Sequence, residues 1–284
     1  MNMSLILGSA TVPGPRLQAL VVPREHGAWG MLLVPLVTGA AVGLMRGGQT
    51  LPVIIFTMAA LALFWLRTPL ESWLGTTPLR AQSAAERRAL LVCIISLSSV
   101  AALMFAALFW DGRNRSLLLL GAIVGLSFVS QAGLKKVSRK LRMAAQVAGA
   151  LGLTAAAPAA YSVATGRIDS TAAALWLANW LFAGDQIHFV QLRIHSARAR
   201  AAGEKLRRGR AFLAGQIGLA AVLILSANFG LLPWLALLAF APVLVRGIAW
   251  FLRASQPLAV RRLGWSELAQ SVAFGALLVA GFRF

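Results

Sequence analysis

Residues Ala89–Trp110 read ALLVCIISLSSVAALMFAALFW, an unbroken apolar run with no charged side chain. A bilayer core about 30 Å thick needs roughly 17–25 apolar residues per helical crossing, and this run meets that need alone. Working outward from it, eight more apolar segments follow the same pattern: Gly27–Leu44, Leu51–Leu66, Leu117–Leu134, Met143–Ala164, Thr171–Leu192, Ala211–Ala227, Leu231–Leu252 and Leu263–Phe282. The second stops at Arg67 and Pro69, and the eighth carries Pro233 and Pro242, which predict a bend. Composition agrees: of 284 residues 59% are hydrophobic and only 12% charged, with a mean hydropathy of +0.76. A soluble domain keeps roughly a quarter of its residues charged, so a soluble reading is excluded.

The gaps between the runs set the orientation. Of 27 Lys and Arg residues, 21 fall in the lead-in and in every second gap, Arg246 at the inner end of its run joins them to make 22, and five fall on the other side. Basic residues accumulate on cytoplasmic loops, so the expectation is an all-α polytopic bundle of about nine spans in a bacterial inner membrane, with the N-terminus in the cytoplasm and the C-terminus outside. A net charge of +19 would suggest nucleic acid if the bases formed one patch, but they lie dispersed in short clusters, so no nucleic-acid partner is expected. Residues 1–22 read as a loosely ordered cytoplasmic lead-in without a basic leader, and 23–284 as a single transmembrane domain. Cys93, the lone cysteine, excludes an intramolecular disulfide. Gly39-x-x-x-Gly43 and Gly121-x-x-x-Gly125 are helix-packing signals.

Ionisable side chains at membrane depth are costly, so each one marks a candidate site. The chain has eight acids and three histidines. Three constellations gather them. At the inner mouth of the first span, Arg24, Glu25, His26 and Trp29 bring together a guanidinium, a carboxylate, an imidazole and an indole. Their plainer reading is a loop cation, an acid at a helix N-terminus and an interfacial aromatic. At the end of the second span, Arg67 either pairs with Glu71 one turn on or offers its fork to a phosphate or carboxylate.

The sixth span is the most informative. Asp185, His188, Gln191 and His195 fall within one arc of about 120° on a helix, and Asn179, Gln186 and Arg193, spaced by sevens, form a second stripe. Neither can face lipid, so this helix is expected to turn both toward the bundle or a wet cavity. Asp185 and His188 are the candidates for proton handling, with Glu25 and His26 closing the mouth. Asp185 and His188 have the i, i+3 spacing of paired metal ligands, but His188 and His195 lie about 10.5 Å apart along the axis, so no metal site is assigned.

The run Pro23-Arg24-Glu25-His26-Gly27-Ala28-Trp29, followed by a span containing Pro35 and Gly39, resembles the opening of the YwiC-like family of bacterial membrane proteins, for which no activity carries over. At one remove, nine spans with long inner loops after the second and sixth resemble UbiA-type intramembrane prenyltransferases. That resemblance implies Mg²⁺ and an isoprenoid diphosphate held by two aspartate-rich motifs at those loops. Here only Glu71 and Asp185 stand at the two places, a poor Mg²⁺ cradle. The expected function is therefore a polar, basic cavity open to the cytoplasm that takes an isoprenoid or lipid phosphate, with Arg67 and Arg193 on its head. A small-anion transporter and a non-catalytic partner of a membrane complex remain as alternatives.

Overall fold

The computed structural model describes residues 14–22, 26–75, 79–112, 114–137, 142–197, 202–253 and 259–283. These are helical almost throughout, with no strand among the described residues. The elements are α1 (Gly14–Val21), α2 (His26–Met45), α3 (Thr50–Leu74), α4 (Ala84–Trp110), α5 (Asn114–Val137), α6 (Arg142–Thr154), α7 (Ala156–Thr165), α8 (Ser170–His195), α9 (Ala202–Asn228), a 3₁₀ segment (Trp234–Phe240), α10 (Ala241–Leu252) and α11 (Val260–Gly281). Each expected span coincides with one helix or one jointed pair of helices. Among the described residues six stretches are long and apolar enough to cross a membrane: Thr50–Leu74, Ala84–Trp110, Met143–Thr165, Gly203–Asn228, Trp234–Leu252 and Val260–Gly281. Trp29–Met45 and Ser116–Gln131 are shorter apolar helices. The chain is an all-α membrane protein.

The two jointed pairs have local causes. Pro158 has no N–H to give the Thr154 carbonyl four residues back, and its ring crowds that carbonyl, so α6 ends at Thr154 and α7 starts afresh at Ala156. The Thr154 hydroxyl turns back onto the Ala150 carbonyl at 2.8 Å, where it is buried. In the eighth run, Pro233 precedes the 3₁₀ turn and Pro242 lies in the first turn of α10, where a missing N–H costs nothing. Between the two prolines the run changes from 3₁₀ to α.

The chain divides into two compact units. The first comprises Met1–His26 and Leu51–Gly112 and holds α1, α3 and α4. The end of the lead-in, expected to be loosely ordered, is helical here: Pro15 sits in the first turn of α1, and Leu20 near its end is fully buried. The last carbonyls of α1 lack intrahelical donors. Ser72 Oγ bonds Leu20 O at 3.2 Å and Trp65 Nε1 bonds Val21 O at 3.0 Å. Arg16 Nε reaches the buried Glu86 at 2.6 Å, and Glu86 also closes the capping box of Ser83 that starts α4.

The second unit comprises Gly27–Thr50 and Arg113–Phe284. Its core gathers Tyr161, Leu175, Phe182, Phe240, Phe274 and Leu278, with Phe182 stacked on Phe274 at 4.0 Å between centroids. Gly39 and Gly43 lie where α2 meets α7: a Cβ at Gly39 would strike the Ala157 carbonyl, and one at Gly43 would come within 2.7 Å of the Ala164 Cβ. The first glycine pair is thus the close contact expected. The second is not, for a Cβ at Gly121 or Gly125 would meet no described atom within 4 Å.

Candidate functional site

Helix α8 lies at the centre of the second unit. Asp169 caps it, accepting from the backbone N–H of Thr171 at 3.0 Å and of Ala172 at 3.2 Å, while Tyr161 Oη donates to the same carboxylate at 2.8 Å. Its last turn is basic, with Arg193 and His195, as suits the negative end of a helix dipole.

The two polar stripes face different neighbours. On one, Asn179 is buried and donates to Thr38 Oγ1 of α2 at 3.1 Å. Gln186 donates from Nε2 to Ser271 Oγ and to the Glu267 carbonyl of α11, both at 3.1 Å. On the other, the buried Asp185 accepts a short hydrogen bond from Gln216 Nε2 of α9 and forms an ion pair with Arg246 Nη2 of α10 at 3.0 Å. Arg246 Nη1 reaches Glu267 Oε2 of α11 at 2.5 Å. The guanidinium also lies 4.0 Å over the Phe189 ring, one turn from Asp185. Four helices therefore converge on one Asp–Arg–Glu cluster, whose side chains are 2%, 12% and 13% exposed.

His188 turns its ring edge to Phe212 at 5.2 Å, and Gly215 leaves it room: a Cβ there would lie 3.1 Å from His188 Nδ1. Gln191 donates to Gln146 Oε1 of α6 at 3.2 Å. The exposed His195 keeps Nδ1 2.7 Å from its own helix's Gln191 carbonyl. The His195 carbonyl takes a bond at 3.2 Å from Arg208, which is itself paired with Glu204 at 2.6 Å. Arg193 is half-buried and interacts electrostatically with Glu267 and Lys205, yet makes no ion pair within 4 Å among the described residues. Lys205 is buried and gives its amine to the Trp250 and Arg253 carbonyls at 3.3 and 2.7 Å, closing the end of α10.

Asp185, His188, Gln191, Arg193, His195, Asn179 and the half-buried Trp29 of α2 all belong to this second unit. Arg67 and Glu71 belong to the first, paired at 2.9 Å and both part-exposed. Arg24 and Glu25 lie outside the described residues, as does the side chain of His26. The acids do not fit a Mg²⁺–diphosphate cradle: Asp185 is engaged by Arg246 and Gln216, and Glu71 by Arg67. Among the described residues no three His, Cys, Asp or Glu side chains gather as a metal set.

Sequence reasoning missed Gln216, Arg246, Glu267 and Ser271. Two signals were present: Arg246 interrupts one apolar run and Glu267 another, and opposite charges buried in membrane helices seek each other.

Neither the curated proteins nor the solved structures contain a match to this chain. One family model does match, over residues 22–161, the stretch from the Pro23–Trp29 run to the middle of α7, which ends short of α8 and its ion cluster. Over those residues, just under half of the chain, it is similar to YwiC-like proteins.

Proposed function

We propose that this is a bacterial inner-membrane protein of nine crossings, UbiA-like in arrangement, that binds the anionic head of an amphiphile, an isoprenoid or lipid phosphate, at the cytoplasmic end of α8. The observation that carries the reading is Arg193. The neighbouring Arg246 and Arg208 are joined to carboxylates, whereas Arg193 is half-buried and makes no ion pair among the described residues. A guanidinium held this way at the end of an apolar helix suits a planar, two-point contact with a phosphate. The apolar helices around it supply the environment for a lipid tail. Arg67, already joined to Glu71, is a weaker candidate for the same role. The binding needs no divalent ion, in keeping with the engaged state of Asp185 and Glu71. If a group is transferred, the half-buried His188 is the candidate proton acceptor, because both Asp185 oxygens are already bonded.

Binding of a short-chain isoprenoid phosphate to the purified protein in nanodiscs tests this. Arg193→Ala is expected to weaken binding roughly 10–100-fold, the effect of losing one charge-assisted contact. Equal affinity of the variant and the parent, with both folded, refutes the assignment.

A further inference from the structure

Asp185 and Glu267 share a single guanidinium, so at contact range two negative charges face one positive. The other ionisable groups of the packed elements do not redress that balance at contact range. Among the described residues Arg193 interacts with Glu267 only electrostatically, without an ion pair, and Lys205 is committed to the Trp250 and Arg253 carbonyls. His188 lies edge-on to Phe212, one turn from Asp185. A second, independent observation concerns oxygens. Among the described residues, Glu267 Oε1 and Gln216 Oε1 are buried and without a hydrogen-bond partner, as is one donor, Arg246 Nε. Gln216 is 8% exposed, and donating Nε2 to Asp185 leaves its amide oxygen beside the same cluster. Buried acceptors in native proteins almost always find a donor or a cation. A surplus negative charge and two unpartnered oxygens therefore belong to one set of joined side chains, Gln216 through Asp185 and Glu267 through Arg246.

We propose that the Asp185–Arg246–Glu267 cluster is a binding site for one unit of positive charge, an alkali-metal ion or a proton, taken up on Glu267 Oε1 with the Gln216 amide oxygen as its neighbour. Arg246 keeps out a divalent ion by repulsion but leaves the single deficit. Intramembrane carboxylates commonly serve this purpose. The site goes beyond phosphate binding at Arg193 and does not depend on it.

Thermal unfolding of the full chain in nanodiscs tests the site in two arms. In the first, Na⁺ or K⁺ replaces choline at constant ionic strength and pH; in the second, pH is lowered in choline alone. A ligand that binds only the folded state raises Tm in a saturable way, here by about 3 °C or more. A response in the first arm assigns the alkali ion. A response confined to the second, preserved in His188→Gln, assigns the proton. Glu267→Gln balances the cluster without the ligand and is expected to lose the response. Asp185→Asn should do the same, so the test stands if either variant folds. A flat wild type in both arms, or a variant that retains the full response, overturns the site.

Discussion

Arg246 is tolerated inside an apolar helix because its fork meets Asp185 and Glu267, each carried by a different helix. Removing the guanidinium would leave two carboxylates buried without a counter-charge, and the loss of one partner from a buried pair costs about 3–5 kcal/mol. Arg246→Met is therefore expected to lower the unfolding midpoint in detergent strongly. Adding Asp185→Asn and Glu267→Gln to that variant should restore most of the loss, because a neutral cluster demands no cation. A triple variant as unstable as the single one would show that packing of the Arg246 stem, and not its charge, is what matters. At this scale the sequence is only half legible. The polar stripes of α8 are visible as residues spaced along one helix, and the burial of Asp185 and Asn179 agrees with their turning inward. Their partners are not visible, because Gln216, Arg246 and Glu267 stand alone in their own runs and only packing brings them together.

At the scale of elements, the two glycine pairs are identical as patterns and differ as contacts. Gly39 abuts the backbone of α7 at Ala157, whereas Gly121 has open space on its side of α5. Gly39→Val should cost about 1–3 kcal/mol or more, since the obstruction is a carbonyl and not the end of a flexible side chain. Gly121→Val should stay within about 0.5 kcal/mol. Unfolding midpoints of the two variants, measured side by side, check the contrast, and equal losses would disprove it. Helix existence was legible from apolar length alone, since each of the nine runs falls on helix. The break between α6 and α7 was equally written in the chain, at Pro158, but a reading by apolar length passes over a proline inside a run. Pro233 near the start of the eighth run and Pro242 within it predict a bend, and the 3₁₀ segment lies between them.

For the molecule as a whole, the alternation of basic gaps and the helix lengths speak to different properties. Length and composition qualify six stretches as crossings and leave α8 unqualified, because the polar residues that make α8 interesting also lower its hydropathy. Charge placement has no such penalty, since it depends on the gaps and not on the spans. If all nine segments cross, Arg87 and Arg207 lie on the cytoplasmic side, while Asp111, Arg167 and Phe229 lie outside; all five are exposed. Single cysteines at these positions, in a Cys93→Ser background, report this through an impermeant thiol reagent applied to intact cells. Labelling is expected at 111, 167 and 229, and protection at 87 and 207 until the membrane is opened. The positions bracket α8 on both sides, so the pattern decides whether this helix crosses. Were α8 to lie along the surface, 167 and 207 would share a face and respond alike.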